Sequence, residues 1–238
     1  MDELKRFSIF KQVGMKKASS RAGKNSHKKG DPEPLAVQRS SHSFDVVCIG
    51  ASAGGLNAIM ELISQLPASL NAAVFVVLHF SRGALGQILV DRIKRDSQLH
   101  CSIAKDNEQV KPGHVYLAPP DVHLLIKDTI ILAHGPAENR FRPSIDVLFK
   151  SAAVHYGENA VGVVLTGLLN DGTSGMWAIK ESGGQCIVQD PDEAEYPDMP
   201  LSVLQSVEVD YILPLKKMGQ VIGKIVKEKK RTEQNLLR

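Results

Sequence analysis

No apolar run in this chain reaches the roughly 18 residues that a membrane-spanning helix needs, so a span is excluded. Cysteine is scarce. Cys48, Cys101 and Cys186 are odd in number and contain no CxxC pair, which fits neither a disulfide framework nor a zinc site. They fall in apolar, strand-like runs and read as small buried hydrophobes of a reducing compartment. The basic N-terminus lacks the continuous apolar stretch of a secretory signal; a cytoplasmic location is expected. Basic residues are also thin where they would matter for nucleic acid. Residues 44–215 hold 11 Lys and Arg against 20 Asp and Glu, whereas residues 1–43 hold 10 against 4 and residues 216–238 hold 8 against 2. The basic pI of about 8.7 therefore belongs to the two ends, and nucleic-acid binding by the centre is disfavoured.

What is present is organised. Residues 1–43 are rich in Lys, Ser, Gly and His and are expected to be a disordered basic segment, with a short helix at Leu4 to Val13 as the one local alternative. From Phe44 onward, apolar runs of strand length (Val46–Ile49, Ala73–Leu78, Val115–Leu117, Val161–Leu165, Cys186–Val188) alternate with helix candidates (Leu56–Leu66, Leu85–Arg95, Ile145–Tyr156, Gly175–Glu181, Leu215–Lys229). This rhythm predicts an α/β fold, a mainly parallel sheet covered by helices. His123–Lys127 and Thr129–Ala133 flank Asp128 and predict an antiparallel hairpin attached to the sheet; Pro136–Pro143 follows as a polar loop. Residues 44–226 make one domain, and 227–238 a basic, solvated tail.

Three reactive side chains fall at strand ends, where open α/β sheets collect ligands. Ser52 lies in Gly50-Ala51-Ser52-Ala53-Gly54-Gly55, between an apolar run and a helix. A strand, sharp turn and helix lift its hydroxyl towards substrate beside free backbone N–H groups. His79 closes the second run, and Asp171 follows the Val163–Gly167 run in Asn170-Asp171-Gly172. Serine is a poor nucleophile until a base takes its proton; imidazole does this, and a carboxylate fixes the imidazole. Each piece has a blander reading: helix cap or phosphate loop for Ser52, core histidine for His79, turn residue for Asp171. Their common placement favours the joint one. Arg140 and Arg142 either pair locally or line the cleft and hold an acidic substrate group.

From about Val46 to Leu213 the chain resembles the catalytic domain of the chemotaxis protein-glutamate methylesterase family (CheB). The resemblance rests on IGASAGG at Ile49–Gly55, VLHF at Val77–Phe80, VKPGHVYLAPPDVH at Val110–His123, NRFRPSIDVLF at Asn139–Phe149 and AVGVVLTGLLNDGTSGM at Ala160–Met176. It implies a three-layer, Rossmann-like α/β domain with helices on both faces. It also implies a Ser52, His79, Asp171 triad that hydrolyses glutamate γ-methyl esters on cytoplasmic helices of methylated chemoreceptors; some members also deamidate receptor glutamines. The oxyanion donors it implies are backbone N–H groups near Ala53 and Leu168, with Arg140, Arg142 and Asn170 beside the substrate. No metal or organic cofactor is implied, and membrane association comes only through receptors. Residues 1–43 are too short for the family's receiver domain, so phosphorylation control in cis is expected to be lost; a separate response regulator in trans is one candidate partner. Ala53 stands where Thr is common, and Leu168-Leu169 where Met-Gly is frequent; Leu169 takes glycine-type backbone angles only at a cost. Two other readings compete: a degenerate receptor-binding scaffold, and a nucleotide-binding module, disfavoured because GASAGG lacks the G-x-G-x-x-G spacing.

Overall fold

The computed structural model describes residues 43–79 and 85–236. Residues 1–42, with the Leu4 to Val13 helix considered above, lie outside the described residues. Among the described residues nine strands are formed: β1 (Asp45–Ala51), β2 (Ala72–Leu78), β3 (His100–Ile103), β4 (His114–Leu117), β5 (His123–Ile126), β6 (Ile130–Ala133), β7 (Ala160–Val164), β8 (Gln185–Gln189) and β9 (Tyr211–Leu213). Six α-helices accompany them among the described residues: α1 (Gly55–Ser64), α2 (Leu85–Asp96), α3 (Ile145–Tyr156), α4 (Thr173–Glu181), α5 (Asp198–Leu204) and α6 (Leu215–Leu236). Seven strands pair in parallel in the order β3-β4-β2-β1-β7-β8-β9.

The central strands are apolar throughout because helices cover both faces; every residue of β1 and β2 is buried. Alternation along the strands sorts their side chains into two cores. Val47, Ile49, Val74 and Val76 face α1, α2 and α6. Val46, Cys48, Phe75 and Val77 face α3, α4 and α5. Helix α1 shows why it forms: Gly55, Ala58, Ile59, Leu62 and Ile63 make one buried stripe at helical spacing. The three cysteines are free and buried, and burial pushes each thiol well above its ordinary pKa. No described helix is long and apolar enough to cross a membrane.

Some elements differ from expectation. The hairpin β5-β6 is antiparallel but forms its own two-stranded sheet. It packs on α3, where the Ile126 N–H donates to Ser151 Oγ (3.0 Å) and Tyr156 donates to Lys127 O (3.0 Å). Helix α6 runs on to Leu236, through residues the sequence reading assigned to a tail; Lys, Glu, Arg and Gln are good helix formers and carry it on. Strand β9 and helix α5 were not expected, and β3 only as the strand-like surroundings of Cys101. Both strands lie at sheet edges and are partly exposed; β3 (HCSI) is broken by polar residues, and β9 (YIL) is only three residues long.

Candidate active site

The strand order reverses at β1, whose neighbours β2 and β7 lie on opposite sides. The chain leaves all three C-terminal ends at one rim of the sheet, where ligand crevices form. Ser52 follows the last residue of β1 and His79 the last of β2, and these end residues, Ala51 and Leu78, are register partners. The His79 N–H donates to Ala51 O (3.1 Å). Alternation directs Ala51 and Leu78 to the α1 side and therefore sends Ser52 and His79 toward α3.

The turn after Ser52 is tied to the turn after β7. The Ser52 N–H donates to Thr166 O (3.0 Å). The Thr166 hydroxyl donates to Ala53 O (3.0 Å) and accepts from the Tyr196 N–H (2.8 Å). Gly54 has φ 72 and lies against Glu195, so any side chain there meets both backbone strain and a clash. Gly167 permits the approach of the second turn: a Cβ there would sit 2.8 Å from Ser52 Cβ. Among the described residues, the N–H groups of Ala53, just before α1, and Leu168, in the turn after β7, find no acceptor.

His79 and Asp171 meet directly: Nε2 lies 2.9 Å from Asp171 Oδ2, with side-chain exposures of 6% and 0%. An Nε2–H donated to the carboxylate leaves the lone pair on Nδ1. Among the described residues that atom is buried with no hydrogen-bond partner. The structure thus joins the imidazole to the aspartate and brings Ser52 to the neighbouring position, with no bond between Ser52 Oγ and His79 in this resting geometry. Such bonds are often loose before substrate binds.

Asp171 is held by far more than the imidazole. Its Oδ2 accepts the Ile145 N–H (2.7 Å), and its Oδ1 accepts the Ser144 hydroxyl (2.9 Å) and the Asp146 (3.2 Å) and Gly172 (3.1 Å) N–H groups. It therefore caps α3, whose first N–H groups have no partner within the helix. Burial pushes its carboxyl up, but the His79 bond and charge, the Ile145 N–H and the Ser144 hydroxyl outweigh this and hold it below the usual carboxylate range. Asp146 returns the arrangement, accepting the Gly172 (3.0 Å) and Gly175 (2.7 Å) N–H groups at the start of α4. Burial, then the charge of Asp171, pushes its carboxyl up to about 6. Behind them stands His123, fully buried. Its Nδ1 accepts the Ser144 N–H (3.3 Å), and its Nε2 lies 2.9 Å from Pro136 O. Ser144, Asp146 and His123 escaped the sequence reading as site components; the one local signal was a Ser and an Asp flanking the start of a helix.

The 136–143 loop folds over the pair. Glu138 and Phe141 exchange backbone hydrogen bonds (3.1 and 2.9 Å) around Asn139 and Arg140, which have φ 52 and φ 73. The Phe141 ring lies flat on His79, with centroids 3.6 Å apart and planes 5° from parallel. Arg142 is engaged locally, donating to Asp121 Oδ1 (2.7 Å) and Gly135 O (2.8 Å). Arg140 is exposed at the tip. Asn170 accepts from Asn139 Nδ2 (3.4 Å), and both line a cleft of about 620 Å³ with Glu138, Lys150 and Trp177. Leu168 and Leu169 are exposed beside it, and Leu169 has φ 68, a left-handed backbone that costs a non-glycine residue about 1–2 kcal/mol. No group of three or more His, Cys, Asp or Glu that could hold a metal occurs among the described residues. The chemistry available is proton transfer to an imidazole, a neighbouring hydroxyl, and open backbone donors.

Residues 47–222 match the family model described as CheB methylesterase. A homologue from Leptospira interrogans is 39% identical over 185 residues, covering 75% of this chain and 93% of its own. The Salmonella typhimurium protein-glutamate methylesterase/protein-glutamine glutaminase is 37% identical over 183 residues, covering 75% of this chain and 52% of its own; the chain thus spans about half of that relative. The crystal structure of the Thermotoga maritima CheB methylesterase catalytic domain superposes with a TM-score of 0.75 at 34% identity, covering 78% of this chain and all of that one.

Proposed function

Because the chain belongs to the CheB methylesterase family, we propose that it is a carboxylic-ester hydrolase that removes methyl groups from glutamate γ-methyl esters of chemoreceptors. Its relatives carry a second activity in their names, glutamine deamidation, and the same attack on a γ-amide would release ammonia. Residues 44–226 form the catalytic domain in this reading. The observation that carries it is the imidazole of His79, bonded through Nε2 to a buried carboxylate with Nδ1 left buried and unpartnered, directly after a strand whose end residue pairs with the residue before Ser52.

The mechanism follows from those atoms. His79 Nδ1 takes the Ser52 proton as Oγ attacks the γ-carbonyl. The N–H groups of Ala53 and Leu168 hold the resulting oxyanion; losing one such donor costs about 3–4 kcal/mol of barrier. The proton passes from His79 to the departing methoxide, and methanol leaves an acyl-enzyme. Water, deprotonated by the same nitrogen, then releases the free glutamate. Asp171 keeps Nε2 protonated and steadies the imidazolium. In this reading the exposed Arg140 and Asn170, which lines the cleft, contact the incoming receptor helix together with the exposed Leu168 and Leu169. Arg142 serves the loop instead.

Ser52→Ala is expected to abolish methanol release from methylated receptor while the thermal melt stays unchanged. Release at the wild-type rate by that variant rules out the mechanism.

A further inference from the structure

Phe141 is a large apolar ring that belongs to neither hydrophobic core. It is half-buried, on the turn that precedes α3, and its contact is the face of His79. A ring centroid 3.6 Å from the imidazole centroid and only 5° from parallel is a full stack, not a passing edge. The backbone beneath it is fixed at two points. Glu138 and Phe141 close the turn with reciprocal hydrogen bonds, and the next residue, Arg142, is fastened to Asp121 and to Gly135 O. Two residues further on, Ser144, Ile145 and Asp146 supply donors to Asp171. One segment, 138–146, therefore controls the imidazole twice, on its face through Phe141 and at its edge through Asp171.

The two controls are not redundant. One hydrogen bond at Nε2 leaves the ring free to tilt about that bond, and a tilt changes the direction in which Nδ1 presents its lone pair. A flat ring against the imidazole face removes that freedom. It also excludes water from that face and offers its electron-rich surface as His79 gains charge.

We propose that Phe141 is a positioning residue for the esterase reaction: its ring, stacked on His79, sets the imidazole plane in which Nε2 meets Asp171 and Nδ1 faces the Ser52 hydroxyl. The proposal rests on the triad reading above. It acts on His79 and predicts no direct contact with substrate.

The test uses the full chain and its Phe141→Ala, Phe141→Leu and Phe141→Tyr variants. It measures kcat and KM for methanol release from methylated chemoreceptor, and the rate of Ser52 labelling by a fluorophosphonate, with a thermal melt for each variant. Ala and Leu are expected to lower kcat and the labelling rate together by about 10- to 100-fold. KM stays within about twofold, because binding is not what Phe141 supplies. Tyr, which keeps the flat ring, is expected to stay within about threefold of wild type. Wild-type kcat in Phe141→Ala overturns the proposal, as does a rise in KM alone, which would make Phe141 a substrate contact. Full activity in Phe141→Leu overturns it too, since bulk would then suffice without a flat face, and so does a slow Phe141→Tyr that melts normally. A wild-type chain that is neither labelled at Ser52 nor active sinks the triad reading and this proposal with it; a labelled wild type with an indifferent Phe141→Ala sinks the proposal alone.

Discussion

His79 and His123 are buried histidines at the two ends of one hydrogen-bonded chain, His123–Ser144–Asp171–His79, and they differ in a single nitrogen. Both ring nitrogens of His123 are engaged, Nδ1 by the Ser144 N–H and Nε2 by Pro136 O. His79 spends Nε2 on Asp171 and leaves Nδ1 buried and unpartnered among the described residues. Buried polar atoms are nearly always satisfied, and an exception needs a reason. Here the reason proposed is a proton to collect. Burial alone does not mark a working histidine; an unfilled valence at the rim of the sheet does.

Substituting each histidine should break the pair apart most sharply. His79→Ala is expected to lower kcat by about 10⁴-fold or more and to cost only about 1–2 kcal/mol of urea stability, the loss of one buried donor, because Asp171 keeps its donors from Ser144, Ile145, Asp146 and Gly172. His123→Ala strands the Ser144 N–H and Pro136 O in the interior and should cost about 2–4 kcal/mol of stability, while the folded fraction retains most of its turnover. Urea titration and methanol release on both variants decide this. An inactive but fully stable His123→Ala would erase the distinction.

The carboxylates between the two rings show the same logic in charge. Asp171 collects donors and its carboxyl is held low, so it stabilises the fold above the ordinary carboxylate pKa, and this is lost as pH falls through its lowered value. Asp146 lies in the opposite case, pushed up to about 6 by burial and by Asp171. The folded state then holds the Asp146 proton more tightly than the unfolded chain, so stability declines as pH rises from about 4 to about 6 and the cost persists above that. Asp146→Asn keeps an oxygen for the Gly172 and Gly175 N–H groups and carries no charge to bury. It is expected to gain on the wild type by on the order of 2 kcal/mol between pH 4 and 7. Urea midpoints across that range test this; parallel curves for the two proteins would remove the buried-charge conflict.

Much of this was legible in the chain because it depends on neighbours in sequence. The central strands announced themselves as unbroken apolar runs, and Ser52, His79 and Asp171 each stood at the end of one. The Leu169 backbone was flagged as costly, and the chain does place it at φ 68. What stayed hidden joins distant segments. Phe141 reaches His79 across 62 residues, and Asp146 reaches Gly172 across 26; no local pattern encodes either meeting. Arg142 left two roles open, and the structure engages it with Asp121 and Gly135 O. Of the edge strands, β3 carries polar His100 and Ser102 that break its apolar pattern, and β9 is an apolar run of three residues, too short to stand out.

The smallest expected effect tests where scaffold ends and machinery begins. Ser144 belongs to both sides: its N–H serves His123, and its hydroxyl donates to Asp171 Oδ1 at 2.9 Å. Ser144→Ala removes the second link and keeps the first, since the backbone N–H remains. Asp171 Oδ1 still accepts the Asp146 and Gly172 N–H groups, so the carboxylate stays in place with one donor fewer. A stability loss of about 1–2 kcal/mol is expected for a buried, charge-assisted hydrogen bond, with kcat reduced only about two- to fivefold because Oδ2, the oxygen bonded to His79, is untouched. If kcat instead falls as far as in His79→Ala, the hydroxyl is part of the proton-handling apparatus, and the boundary between the two histidines lies one residue nearer to His123.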